Sequence, residues 1–168
     1  MIKRLSKKSG QMEISFGMIF SIILIIIFLV FAFYAIRAFL NFQNDAKAGR
    51  FYDRIQEDIN TIWRNQGAEQ QDYVVPSYVD FVCFVDFSSN SVGENSDFYS
   101  ELKKAYSGSE NLAFYPVKFT GFESKNIDHI DTVETTSGNN PLCIKSNNGK
   151  VSLTLKKDFG EALVTIER

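Results

Sequence analysis

The chain has 168 residues, enough for one folded domain of ordinary size and a membrane-spanning segment. Its formal net charge of −2 hides a split: residues 1–10 carry four basic and no acidic side chains, whereas residues 41–168 carry 13 Lys/Arg and 19 Asp/Glu, a net of −6. Because binding to nucleic acid needs a basic face, this acidic remainder argues against nucleic acid as a partner.

The first predicted element is a transmembrane helix over residues 11–36. The run from Ile14 to Ile36 holds 23 residues and no charged side chain. As a helix it is about 34 Å long, enough to cross a hydrocarbon core of about 30 Å and to contact membrane lipid along its whole length. The run is longer than the apolar region of a cleaved secretory signal, roughly 7–15 residues, and no small-x-small site ends it. We therefore expect a retained anchor.

The charges beside this run predict its orientation. Four basic residues precede it, namely Lys3, Arg4, Lys7 and Lys8, whereas Arg37 stands just after it. Basic flanks normally stay in the cytoplasm. We therefore expect a single-pass protein of the cell membrane, with a cytoplasmic N-terminus and an extracytoplasmic C-terminal domain.

The helix is predicted to continue beyond the membrane as an amphipathic extension over residues 37–66. This segment holds no proline and one glycine, Gly49, before Asn65. Apolar side chains recur at steps of three or four residues, at Phe51, Ile55, Ile59 and Ile62. The stripe predicts that this half of the helix packs against the chain's own outer domain.

Residues 72–168 are predicted to form an extracytoplasmic β-rich domain. Runs rich in β-branched and aromatic residues, bounded by turn residues, predict its strands. The predicted strands are Tyr78–Phe87, Leu112–Phe119, Leu142–Ser146, Lys150–Lys156 and Ala162–Ile166, with a short strand near Ile127–Val133 and a short helix at Asp97–Tyr106. The fold class is therefore α+β, in which a long N-terminal helix precedes an antiparallel β-rich domain.

Two local signals refine the arrangement of these strands. Asn148 and Gly149 form a pair that tolerates positive φ angles, which predicts a tight hairpin between the strands on either side. Pro116 has no N–H to give to a ladder, so the strand that contains it is predicted to be an edge strand or to carry a bulge.

The residues before the apolar run form a recognisable leader. Residues 7 to 16 read Lys-Lys-Ser-Gly-Gln-Met-Glu-Ile-Ser-Phe. This stretch resembles the class III signal peptide of type IV pilin-like proteins, the archaeal kind in particular. The resemblance implies that a prepilin-type peptidase cuts between Gly10 and Gln11, removing the basic leader 1–10 and leaving the helix on the mature chain. The family pattern has Ser third and Glu fifth after the cut, and here Glu13 is third and Ser15 is fifth.

Glu13 is the residue predicted to act in assembly. A carboxylate at the start of an apolar helix is costly in lipid unless it has a partner. The resemblance implies that the partner is the new N-terminus of an identical or related pilin-like subunit. The alternative is that Glu13 lies at headgroup level without a partner. Gly17 and Ser21 add a pair of small residues four apart, a spacing that allows helices to approach closely.

The two cysteines, Cys83 and Cys143, both fall in predicted strands on the extracytoplasmic side. An oxidising location and an even count favour a disulfide between them, whereas buried free thiols are the alternative, because cysteine packs as a small hydrophobic residue. A bridge would require the two strands to be neighbours in the sheet or to face each other across its core.

The sequence predicts no catalytic, metal or cofactor site. Its one histidine, His129, lies between Asp128 and Asp131, and we interpret the three as a solvated turn. No CxxC, HExxH or phosphate-binding loop occurs, and with one histidine and no marked nucleophile a Ser-His-Asp hydrolase is not expected. The protein is therefore predicted not to be an enzyme.

Two hypotheses for function remain. In the first, the chain is a pilin-like structural subunit, processed at its leader and assembled through its N-terminal helix into a surface filament or pseudopilus. In the second, it is a single-span anchored extracytoplasmic module that binds a partner and does not polymerise. Both need the same anchor.

Overall fold

The computed structural model describes residues 16–106, 108–118 and 124–168. The chain divides into two compact units, the first ending at Leu40 and the second comprising Asn41–Arg168. A long N-terminal helix is followed by antiparallel sheets, so the predicted α+β fold class is confirmed.

Helix α1 comprises 50 residues, from Phe16 to Asn65. The elements after it are β1 (Gly67–Val74), β2 (Phe81–Phe84), α2 (Ser96–Ala105), β3 (Leu112–Tyr115), β4 (Ser124–Lys125), α3 (Thr132–Thr135), β5 (Leu142–Lys145), β6 (Lys150–Lys157) and β7 (Thr165–Glu167). The strands form two antiparallel sheets, one of three strands in the order β1-β6-β7 and one of four in the order β4-β3-β2-β5.

The main core lies between the second half of α1 and both sheets. The stripe predicted from the sequence is the buried face of this helix, and Ala48 and Tyr52 belong to it as well. Side chains from six of the strands and from the loops between them complete the cluster. The amphipathic extension therefore packs against the chain's own domain, as predicted.

The four-stranded sheet is covered on both faces. Successive side chains of a strand point to opposite faces, so in β2 Val82 and Phe84 enter the main core while Cys83 points away from it. Helix α2 covers that second face with Tyr99 and Leu102, which form a smaller cluster with Cys83 and its neighbours. Burial on both faces explains why β2 reads as a nearly continuous apolar run.

Strand β1 was not predicted. The predicted helix ends at residue 66 and the predicted β-rich domain begins at residue 72, so the polar residues between them are assigned to no element. Instead, Gln66 and Gly67 adopt positive φ angles of 61° and 118°, and the chain turns directly into an eight-residue strand at the edge of its sheet. Only Tyr73 of this strand is buried. The polar composition of this segment is therefore that of an exposed edge strand and not that of a loop.

The predicted hairpin at Asn148-Gly149 is wrong in its pairing. The tight turn exists, since the N–H of Lys150 donates to the carbonyl oxygen of Asn147 at 3.0 Å and the reverse bond measures 2.8 Å. However, β5 pairs with β2 and β6 pairs with β1 and β7, so the two flanking strands belong to different sheets.

Two further strand predictions need correction. No strand covers Ile127–Val133: Ile130 makes a single parallel bridge to Val164, and α3 begins at Thr132, where the side chain of Asp131 caps the backbone N–H of Glu134. Pro116 lies one residue beyond β3, and β3 is an interior strand of its sheet. The proline ends this strand and does not mark an edge.

Candidate functional site

The first half of α1 has the character of a membrane anchor. Every side chain from Phe16 to Gln43 is exposed, and 20 of them are large and hydrophobic. Among the described residues, α1 is the one helix whose length and composition suit a membrane span, with a mean hydropathy of 3.1 in its most apolar window. By its length and composition, this helix could cross a membrane once.

The predicted leader residues lie outside the described residues. These are Gly10 and Gln11 at the expected cleavage site and Glu13 at the expected assembly contact. Within the described helix, the hydroxyl of Ser21 donates to the carbonyl oxygen of Gly17 at 2.8 Å. This bond satisfies the hydroxyl inside its own helix, so the pair offers a neighbouring helix a small surface and no free donor.

Cys83 and Cys143 are joined by a disulfide. They lie directly opposite each other on the neighbouring strands β2 and β5, with 4.0 Å between their Cα atoms, and the described residues include no free cysteine. Both side chains are buried in the smaller cluster beneath α2. The bond closes a loop across a sequence separation of 60 residues and ties edge strand β5 to the centre of its sheet.

His129 is on a turn, as expected, and Asp128 beside it is exposed, but His129 itself is half-buried. It has a positive φ of 69°, and its ring lies against the indole of Trp63, with the ring centroids 3.8 Å apart. Its Nδ1 is buried and has no hydrogen-bond partner among the described residues. The indole N–H donates to the carbonyl oxygen of Ala162, and the ammonium of Lys157 donates to that of Trp63. These contacts fix the C-terminal end of α1 on the loops after β4 and β6.

Tyr73 and Asp86 are two of the four titratable groups with shifted pKa values among the described residues, and both of their shifts have structural causes. Burial, followed by a hydrogen bond to the carboxylate of Asp58, raises the pKa of Tyr73. For Asp86, burial opposes ionisation, but hydrogen bonds from Ser88 and Ser89 outweigh it and lower the pKa below its usual value. The bond from Tyr73 links β1 to α1, and the bonds to Asp86 hold the loop after β2 together.

Asn140 also uses its side chain to hold the loop that contains Asp86. It is 1 % exposed; its side-chain oxygen accepts from the N–H of Asp86, and its amide nitrogen donates to the carbonyl oxygens of Asp86 and Asn90. No group of three or more potential metal ligands occurs among the described residues. The polar groups found here are occupied in holding the fold.

The sequence analysis missed two surface features. Phe159, on the turn after β6, is 95 % exposed. The backbone N–H of Asp158 donates to the carboxylate of Glu161, and the N–H of Glu161 donates to the carbonyl oxygen of Asp158, so this turn is ordered. The signal in the sequence was an apolar residue within a short polar turn. The second feature is a group of basic residues that are distant in sequence, namely Lys47, Arg50, Lys118 and Lys150.

Comparisons with protein-family models, with curated proteins and with solved structures found no match for this chain.

Proposed function

We propose that this chain is a membrane-anchored, pilin-like structural subunit, processed at its leader and assembled through its N-terminal helix into a surface filament or pseudopilus. One observation supports the proposal most strongly. Helix α1 runs from Phe16 to Asn65, fully exposed and apolar in its first half and buried along one face in its second. A single helix thus serves as anchor and as the spine of the outer domain.

The exposed half of α1 needs an apolar environment. Its 20 large hydrophobic side chains would each gain roughly 1.5 kcal/mol or more from burial, so leaving them in water costs roughly 30 kcal/mol. That cost exceeds the 5–15 kcal/mol by which a typical domain is stable. Lipid, or a bundle of neighbouring copies of this helix, would remove it.

Assembly needs an attraction beyond apolar contact. Lipid tails are as apolar as the helix surface, so no hydrophobic force draws two such helices together in a membrane. In the proposed mechanism, cleavage after Gly10 creates an ammonium group at Gln11, and the carboxylate of Glu13 in a neighbouring subunit attracts it. The attraction also sets the register between subunits. Glu13 is third after the cut, whereas the family pattern has its acid in fifth place. This difference of two residues turns the carboxylate by about 200° around the helix, so the neighbouring subunit must approach on that face.

Processing is tested by the intact mass of the mature protein from native membranes. Loss of residues 1–10 is expected. Gly10→Leu places a bulky side chain before the cut and should leave the precursor at full length. Normal processing of this variant would show that the leader has been misidentified.

Assembly is tested by cross-linking in native membranes. The parent chain should give a ladder of oligomers, and Glu13→Gln should give mainly monomer at equal expression. Glu134→Gln is the matched control, because it removes one exposed carboxylate from the outer domain and should keep the ladder. Equal ladders from the parent and Glu13→Gln would show that Glu13 is not the assembly contact.

The exposed ring of Phe159 favours a second candidate, the single-span binding module that does not polymerise. An apolar ring held on an ordered turn is a suitable contact for a partner at the cell surface. A parent chain that cross-links only as a monomer, and retains its N-terminus, would favour this alternative over the filament subunit.

A further inference from the structure

Four basic side chains gather at one end of the second unit, although they are far apart in sequence. Lys47 is on α1, and it lines a groove of about 370 Å³ together with Lys150, at the start of β6. Arg50, one turn further along α1, lines the adjoining groove with Lys47. Lys118 lies with its ammonium 4.4 Å from the centre of the Tyr78 ring. We call Lys47, Arg50, Lys118 and Lys150 the basic pole.

The topology explains why these four residues share an end. The loop between β1 and β2 lies beside the first residues of the unit, since the N–H and the hydroxyl of Ser77 both donate to the side-chain oxygen of Asn44. The same loop is bonded to the turn before β6, where the N–H of Val75 donates to the carbonyl oxygen of Gly149. Strand β3 ends at this loop too, because the N–H of Asp80 donates to the carbonyl oxygen of Tyr115.

The groove that Lys47 and Lys150 share differs in charge from the remainder of the unit. None of the described residues that line it is acidic. The adjoining groove, which Lys47 and Arg50 line, also contains three acidic residues, Asp53, Glu57 and Asp58. Because residues 41–168 as a whole carry 13 Lys/Arg and 19 Asp/Glu, a groove with two lysines and no acid runs opposite to the net charge of the unit.

Among the described residues, no ion pair uses a side chain of the basic pole. Ion pairs among the described residues use other basic side chains, namely Arg54, Lys125, Lys156 and Arg168. Of the four pole residues, Arg50, Lys118 and Lys150 are exposed and Lys47 is half-buried. Basic side chains that have no ion-pair partner among the described residues suit an anionic partner outside the chain.

We infer that the basic pole docks on the anionic headgroups of the membrane that holds the anchor. This inference rests on the membrane anchoring in the proposed function. Asn44 follows Ile36 by eight residues, so even a fully extended chain keeps this end of the unit within about 28 Å of the apolar span. Lipid phosphates are therefore anions outside the chain that the pole can reach, and each basic residue near such a surface adds attraction that salt screens.

Lysine labelling tests the inference on the full chain reconstituted in lipid nanodiscs. A water-soluble amine reagent is applied to nanodiscs of phosphatidylcholine alone and of phosphatidylcholine with phosphatidylglycerol, and peptide mass spectrometry gives the rate at each lysine. Lys47 and Lys150 should react at least about fivefold more slowly in the anionic discs. A factor of about five corresponds to the attraction of one basic residue to an anionic surface. Lys104, exposed on α2, is the internal control and should keep its rate. High salt should abolish the difference.

A pair of charge variants makes the test specific. Arg50→Gln removes one charge from the pole and leaves both reporter lysines in place, so their slowing in anionic discs should fall several-fold. Arg64→Gln removes an equal charge from the far end of the same helix and should change nothing. If both variants behave alike, the effect is one of net charge and the basic pole is not a docking surface.

Other outcomes would overturn the inference in distinguishable ways. Equal rates in the two lipids would exclude headgroup docking. Slowing in neutral discs that grows with protein concentration would assign the pole to a second copy of the chain, and slowing by inorganic phosphate alone would indicate a site for the free ion. Failure of the chain to enter nanodiscs would instead refute the anchor, and with it the proposed function.

Discussion

Removing the Cys83–Cys143 disulfide should lower the stability of the folded domain, the unit Asn41–Arg168, by several kcal/mol. A bond across a sequence separation of 60 residues removes loop entropy from the unfolded chain, and the chain-entropy relation gives about 4 kcal/mol at 25 °C. The double variant Cys83→Ala/Cys143→Ala also loses two buried sulfur atoms, which adds a packing cost to that figure. We therefore expect a total loss of about 4–5 kcal/mol.

Urea unfolding in neutral detergent measures this loss. Trp63 is the single tryptophan of the chain, and it is packed against the main core with its indole N–H bonded to Ala162, so its fluorescence reports unfolding of the domain. With a urea dependence of about 2 kcal/mol per molar, the midpoint should fall by about 2 M. The slope itself should rise, because the unfolded chain without the bond is more expanded.

The reduced parent separates the two contributions. It keeps both sulfur atoms but loses the bond. Its urea midpoint should therefore be slightly higher than that of the double Ala variant and well below that of the oxidised parent. In the native oxidised protein, no thiol should be alkylated until reductant is added. A midpoint within about 0.5 M of the parent after removal of the bond would refute the entropic argument for this loop.

Three smaller perturbations test other parts of the domain. Gly49→Ala should stabilise it by about 0.5–1 kcal/mol, because the glycine lies inside α1 and an added Cβ would meet no heavy atom within 4 Å; an unchanged urea midpoint would contradict this. Asn140→Ala should destabilise the domain by about 3 kcal/mol, because it leaves the buried N–H and carbonyl oxygen of Asp86 without their hydrogen-bond partner. Amide hydrogen exchange in this loop should become faster. Asp86→Asn tests pH dependence: the folded-state pKa lies below the usual 3.8, so the carboxylate stabilises the fold above pH 3.8 and ceases to do so as pH falls through that lower pKa. Urea midpoints should therefore separate parent from Asp86→Asn at neutral pH and converge in strong acid, and a constant difference would refute the assignment.

The two halves of α1 were predictable because each has a signal that needs no tertiary information. A helical run of 23 residues without charge needs lipid or other apolar helices around it. The stripe from Phe51 to Ile62 has the 3.6-residue period of one buried helical face, and the structure buries that face. Strand β2 was also predictable, since it is apolar on both faces and lies inside its sheet.

Features set by partner choice were not predictable from local pattern. The turn at Asn147–Lys150 was identified, but a turn signal does not say which strands its flanks will pair with. Edge strand β1 carries one buried residue, Tyr73, so its sequence has no alternation to detect. The basic pole combines α1, a loop after β3 and the start of β6, and only the folded chain brings these together.

The position of the disulfide follows from the unequal support of the two faces of the four-stranded sheet. One face packs against α1 and both sheets share that core, whereas the other face and α2 together form a cluster of six buried residues. A cluster of this size stabilises its elements weakly, and β5 adds a further weakness because its ladder partner among the described strands is β2 alone. Covalent bonds commonly compensate for small cores in domains exposed to an oxidising exterior. Cys83 and Cys143 lie where this compensation has most effect, on the thinly covered face and across the pair of strands that attaches the edge. That placement accords with the proposed location of this domain outside the membrane, because disulfides persist in an oxidising exterior.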